Sequence, residues 1–177
     1  SPEAACSDGF DNDCDGNMDC ADGDCAAAPA CNPVACASDS VLLCGMRSNA
    51  STAADTNGVG SYSCHGHDES GPDTVFTFLA TANGTVDVDL SGLSADLDLM
   101  IMPWTNPGSP DCNPDSCSAF SAVTGTSNEA VNFTPTVGGL YYLAVDGKNG
   151  ASGDYQIDVT CNVTSGLFFS LAMTGCI

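Results

Sequence analysis

From Val75 to Cys161 the apolar residues recur at every second position in short runs, and nowhere do they keep the three-to-four spacing of an amphipathic helix. VFTFLA opens at Val75. GTVDVDL sets Val86, Val88 and Leu90 against Asp87 and Asp89, and DLDLMIM sets Leu97, Leu99 and Ile101 against Asp96 and Asp98. EAVNFT directs Val131 and Phe133 inward, and YQIDVTC alternates Tyr155, Ile157, Val159 and Cys161 with Gln156, Asp158 and Thr160. LYYLAVDG is apolar at both parities, and VLLCGM at 41–46 reads as an earlier strand. Strand side chains alternate between faces, so such runs build sheets with one dry and one wet side, and clusters of Gly, Pro, Asn and Ser separate them. The expected fold is all-β, an antiparallel β-sandwich of roughly seven to nine strands.

Residues 1–35 break this pattern. They are rich in Asp, Cys, Ala and Gly and hold almost no large apolar side chains, so disulfides and metal must stabilise them in place of a core. The chain therefore divides into an Asp/Cys-rich module at 1–35, the sandwich at 36–161 and an apolar tail at 162–177. The tail's LFFSLAM run is too short to span a bilayer. It reads either as a flap over one end of the core or as a segment that adds to a neighbouring copy through Leu167, Phe168, Phe169 and Leu171.

Charge narrows the partners. The 177 residues include 23 acids and only two bases, Arg47 and Lys148, for a formal net charge of −21. Nucleic acid and anionic membranes need clustered Lys and Arg, so both are excluded and cations are expected instead. Twelve cysteines, an even number with no Cys-x-x-Cys pair, point to an oxidising compartment and hence to a secreted or cell-surface protein. The opening SPEAAC has neither a basic nor an apolar region and reads as a processed N-terminus.

The acidic module carries the strongest motif. DNDCDGNMDCAD at 11–22 places Asp11, Asp13, Asp15, Asp19 and Asp22 at positions 1, 3, 5, 9 and 12 of a loop, with Gly16 at 6 and the carbonyl of Asn17 at 7. That is the ligand spacing of an EF-hand loop, in which a curling chain offers hard oxygens to Ca2+ and glycine permits the central turn. Calcium is the expected cofactor. Position 12 is Asp rather than the usual Glu, and no amphipathic helix flanks the loop. The pattern resembles thrombospondin type 3 repeats and the Asp/Cys-rich metal-binding repeats of bacterial surface proteins over residues 6–25. Asp8 and Asp24 flank it, either sharing a second ion or facing water. The cysteines at 6, 14, 20, 25 and 31 are expected to be bridged, because thiolates suit softer ions.

The sandwich also has a likeness. ESGPDTVFTF at 69–78, SADLDLMIM at 94–102 and GGLYYLAVDGKNGASGDYQIDVTC at 138–161 resemble the bacterial pre-peptidase C-terminal domain, a β-sandwich appended to secreted proteases and surface proteins. The resemblance implies a non-catalytic module for binding or architecture. Some domains of the resembled family bind a calcium at a sheet end, and Asp96, Asp98 and Asp146 are the candidates for a second ion here.

Disulfides are expected between Cys44 and Cys64 across a Ser/Ala/Gly-rich loop, between Cys112 and Cys117 around DCNPDSC, and between Cys36 and Cys161 at the domain's ends. His65 and His67 in CHGHDES, beside Asp68 and Glu69, have a spacing that offers two imidazoles to a transition metal on an extended segment. Trp104 reads as a cap on the core rather than a sugar-stacking platform. Four N-x-S/T sequons, at Asn49, Asn83, Asn132 and Asn162, are at chance level in a chain this rich in Asn, Ser and Thr. No G-x-S-x-G or H-E-x-x-H motif occurs, so no enzyme is expected. The functional expectation is a calcium-stabilised structural subunit that assembles with copies of itself into an extracellular fibre or surface layer. The alternative is an accessory module that binds polysaccharide or matrix protein for a secreted hydrolase.

Overall fold

The structure, a computed structural model, describes residues 13–17, 24, 40–104 and 113–163. Nine strands form the sandwich: β1 Ser40–Leu42, β2 Arg47–Ser51, β3 Thr74–Leu79, β4 Gly84–Ser91, β5 Leu97–Pro103, β6 Ala119–Ser121, β7 Glu129–Phe133, β8 Leu140–Gly147 and β9 Asp154–Val163. They make a five-stranded sheet in the order β1-β3-β8-β5-β6 and a four-stranded sheet in the order β2-β9-β4-β7. Among the described residues no helix is long and apolar enough to cross a membrane.

The alternating runs become strands with the expected inward sides. Val86, Val88 and Leu90 of β4, Leu97, Leu99 and Ile101 of β5 and Tyr155, Ile157 and Val159 of β9 meet between the sheets with Phe76, Phe78 and Leu143. Each such side chain, when fully buried, contributes on the order of 1.5–3 kcal/mol. Three features depart from the sequence reading. The VLLCGM segment is not one strand: it turns at Leu43–Gly45 between β1 and β2. The ladder β1–β3 is parallel in an otherwise antiparallel arrangement, because β1 leaves its sheet at that turn and β2 enters the other one beside β9.

The third departure matters most for the site. The outer face of the five-stranded sheet is dry, not wet. Val75, Met100, Met102, Tyr142 and Ala144 form a second apolar cluster there under Val59 and Tyr62 of the long β2–β3 connection, with Trp104 packed against it. Trp104 thus joins a core, as expected of a cap. Asp98, which the alternation assigns to a wet face, lies on this covered face and has no exposed surface.

The disulfides also differ from expectation. Cys44 bonds Cys161, and Cys64 bonds Cys117, each with a Cα–Cα distance of 5.3 Å. The β2–β9 register explains the first: Arg47 pairs with Asp158, so continuing the ladder backwards sets Cys44 opposite Cys161. The amide of Gly45 donates to the carbonyl of Val159 at 2.7 Å and holds that corner in place. For the second, the amide of Ser63 donates to the carbonyl of Pro114 at 3.1 Å and brings Cys64 to the turn that ends at Cys117. The expected pairs Cys44–Cys64, Cys112–Cys117 and Cys36–Cys161 are thereby replaced, and Cys36 and Cys112 themselves lie outside the described residues.

Candidate metal centre

Asp98 and Asp146 are direct partners across the β5–β8 ladder, near one end of the five-stranded sheet. Both point to the covered outer face, and both are fully buried. The β2–β3 connection is tied down over them by backbone bonds: the amide of Gly71 donates to the carbonyl of Gly147 at 2.7 Å, and the amide of Asn149 donates to that of Asp68 at 2.8 Å. This approach is so close that a Cβ on Gly147 would lie 1.7 Å from the carbonyl oxygen of Ala151, and one on Gly71 would lie 2.5 Å from the carbonyl oxygen of Gly147. Glycine is required at both places.

The connection delivers Tyr62, His65, His67 and Glu69 to the two aspartates. Tyr62 donates its hydroxyl to Asp146 Oδ2 at 3.0 Å, and the amide of Gly147 donates to Asp146 Oδ1 at 2.6 Å. Asp146 is thus satisfied on both oxygens. Glu69 and Asp98 are not: all four of their carboxylate oxygens are buried, and no group outside the pair donates to them. His67 Nδ1 lies 3.5 Å from Asp98 Oδ2, and His65 Nδ1 lies 3.8 Å from Glu69 Oε1, too long for hydrogen bonds. The amide of His67 donates to His65 Nδ1 at 3.2 Å, while His65 Nε2 and His67 Nδ1 are buried without partners. Donor atoms of His65, His67 and Glu69 all fall within 4.8 Å of one another.

Burial sets the electrostatics. It pushes the Glu69 carboxyl up to about 8, with Asp98 adding to the shift by sharing a proton and by its charge. It pushes Asp146 up to about 9, with the charge of Asp73 next in weight. The same desolvation raises Asp73, raises the Tyr62 phenol and lowers the His65 imidazole. The amide of Gly58 donates to Asp73. Neither base of the chain pairs with the cluster, although the charge of Lys148 partly offsets the rise at Glu69. Arg47 pairs with Asp158 on the other sheet, and Lys148 Nζ ends 3.4 Å from Thr124 Oγ1.

Of the other sequence candidates, Asp96 accepts the amide of Gly125 at 2.8 Å and braces a loop. In the acidic module, the amide of Asp15 donates to Asp13 Oδ1 at 3.1 Å and the amide of Asn17 donates to Asp15 Oδ1 at 2.8 Å. Gly16 has a φ of +100°, the left-handed turn that the loop motif assigns to glycine. Side-chain oxygens on a tightly turned chain are donors that fit a hard cation. Asp24 is exposed. Asp8, Asp11, Asp19, Asp22, Leu167, Phe168, Phe169 and Leu171 lie outside the described residues. Sequence reasoning missed Glu129, a fully buried acid of β7 that accepts the hydroxyl of Ser121 and the amide of Val123. It also missed that Glu69 and Asp98 converge.

Residues 73–147 match the family model of the bacterial pre-peptidase C-terminal domain. The matched span runs from the residue before β3 to the end of β8, so it contains Asp98 and Asp146 but not His65, His67 or Glu69. Among solved structures, the pre-peptidase C-terminal domain of a Bacillus anthracis collagenase is similar at 15% identity and a TM-score of 0.46, covering 68% of this chain and 93% of that one. The periplasmic inhibitor of g-type lysozyme from Aeromonas hydrophila, PliG, is similar at 15% identity and a TM-score of 0.40, covering 70% and 98%. CorA, a surface-associated copper-binding protein of Methylomicrobium album BG8, is similar at 9% identity and a TM-score of 0.43, covering 69% and 98%. No curated protein sequence matches the chain.

Proposed function

We propose that the chain is a non-catalytic module of an exported protein, built to hold its shape outside the cell as a subunit of an extracellular fibre or surface layer. The observation that carries this reading is the pair of long-range disulfides, which close separations of 117 and 53 residues. Such bonds persist in oxidising compartments and stabilise a chain chiefly by restricting its unfolded state. In this reading the loop from Asp11 to Asp22 holds calcium through Asp11, Asp13, Asp15, Asp19, Asp22 and the carbonyl of Asn17, and the tail around Leu167–Leu171 docks on the next copy. A head-to-tail contact of that kind does not close and grows into a filament. Negative-stain microscopy of the full chain in millimolar calcium, before and after chelation, tests it. Filaments that disperse on chelation support assembly; monodisperse monomers in calcium overturn it.

A second reading is favoured by the match to the pre-peptidase C-terminal domain: an accessory module that attaches a secreted hydrolase to an insoluble polymer. An open depression of about 620 Å³ lies across β2, β9 and the end of β4, lined by Asn49, Ser51, Ser91, Asp154, Tyr155 and Gln156 among others. Its mixed polar and apolar lining suits a carbohydrate or an extended peptide. Retention of the chain on polysaccharide or collagenous matrix, lost when Asn49 and Gln156 at the depression are changed to Ala, would establish this role over self-assembly.

A further inference from the structure

We propose that His65, His67 and Glu69, with Asp98 beside His67, form a binding site for a divalent transition-metal ion of the zinc class, separate from the acidic calcium loop. The case rests on what the fold leaves unmet. Glu69 and Asp98 have no exposed surface, and no other group donates to any of their oxygens. Buried carboxylates are retained when a cation or a set of hydrogen bonds compensates them. Hydrogen bonds from groups outside the two carboxyls are lacking, and neither of the chain's two bases pairs with them: Arg47 is engaged with Asp158, and Lys148, ending beside Thr124, reaches Glu69 only through its charge. A metal ion supplies the compensation.

The donors identify the kind of ion. Calcium and magnesium take oxygen ligands, whereas a mixed set of imidazole nitrogens and carboxylates suits zinc and its neighbours. The 3.5 Å between His67 Nδ1 and Asp98 Oδ2 is close to the edge of a tetrahedron with bonds of about 2.1 Å, roughly 3.4 Å. The 3.8 Å between His65 Nδ1 and Glu69 Oε1 needs only a small contraction. The nearby cysteines, Cys64 and Cys117, are bonded to each other, so thiolate ligation is not available. An entry path exists, because the His67 side chain is 38% exposed while the carboxylates behind it are sealed. His67 receives the ion and the acids hold it. His65 ranks below His67, since its Nδ1 already accepts the amide of His67 and must give up that contact to ligate.

The test uses the full oxidised chain, stripped with a chelator and kept in excess calcium so that the acidic loop is occupied. Zinc is titrated against a chromophoric chelator while imidazole resonances are followed by NMR. The chain has only two histidines, so their signals report this site alone. Expected are one zinc per chain that moves both imidazole signals, an affinity about tenfold or more weaker in His67→Ala, and a smaller loss in His65→Ala. His67 is partly exposed, so His67→Ala should leave the melting temperature of the stripped protein unchanged. Imidazole signals that stay put at saturating zinc, an unaltered affinity in His67→Ala, or displacement of zinc by calcium at comparable concentration would each overturn the proposal.

Discussion

Asp98 on β5 and Asp146 on β8 face each other across one rung of the ladder, both without exposed surface, yet only Asp146 has donors other than a carboxyl for its oxygens. Two acids in one dry place have unequal means of staying there. Asp146 is held by a phenol and an amide; Asp98 looks toward Glu69 and His67.

Asp98→Asn should therefore stabilise the metal-stripped protein, because a neutral amide replaces a carboxyl group buried beside the carboxyl of Glu69. The expected gain is about 1–3 kcal/mol in urea unfolding of chelator-treated samples. A loss of stability would mean that the bare carboxylate has a partner after all.

Acidity should act on the stripped protein in an unusual direction. The folded chain holds the Asp146 proton up to about 9, against an ordinary value of 3.8, and the Glu69 proton up to about 8. Between the ordinary and the raised values the folded state binds protons that the unfolded state has released, so stability is fully present below about 4 and lost as the pH rises through 8 to 9. Melting temperature should fall by on the order of 5 °C or more between pH 5 and pH 9. A rise over that interval would contradict the assignment.

Peptide mapping without reduction should recover Cys44 linked to Cys161 and Cys64 linked to Cys117. Replacing Cys44 and Cys161 together by Ala is expected to cost about 2–5 kcal/mol, with most of the effect in the unfolded state.

Gly147→Ala should be poorly tolerated, because its Cβ would meet the carbonyl of Ala151. A loss of about 1–3 kcal/mol or more is expected from backbone displacement, together with a disturbed Tyr62–Asp146 bond. Gly66→Ala in the same connection is the control: a Cβ there meets nothing within 4 Å, and stability should change by less than about 0.5 kcal/mol.

Asp13→Ala or Asp15→Ala should abolish the stabilisation that calcium gives the intact chain. At a calcium concentration of about 100 times Kd, that stabilisation is about 2.7 kcal/mol by mass action. Calorimetric titration of parent and variant checks it, and equal calcium binding by both would refute the ligand set.

The strands with apolar alternation, β3, β4, β5, β7 and β9, were legible because a period of two is written into their residues, and β8 was legible as a short continuous apolar run. β2, RSNAS, and β6, AFS, carry no such signal; they exist because β9 and β5 offer them ladders. The covered outer face had a trace in the sequence. Met100 and Met102 stand at the same parity as Asp98, and Tyr142 and Ala144 at that of Asp146, so apolar residues on the supposed wet side already implied a lid. The HGHDE segment was legible as a pair of metal donors, but its carboxylate partner was not. Asp98 is 31 residues from His67, and long-range ties such as Gly71–Gly147 and Asp68–Asn149 bring them together.

The bond between Cys44 and Cys161 bridges the corner before β2 and the last strand. A chain pulled from points before Cys44 and beyond Cys161 would carry the tension through two sulfur atoms and bypass almost all of the sandwich. The domain would behave as a short inextensible link, and its buried acids would stay sheltered under loads that would unravel an unbridged fold.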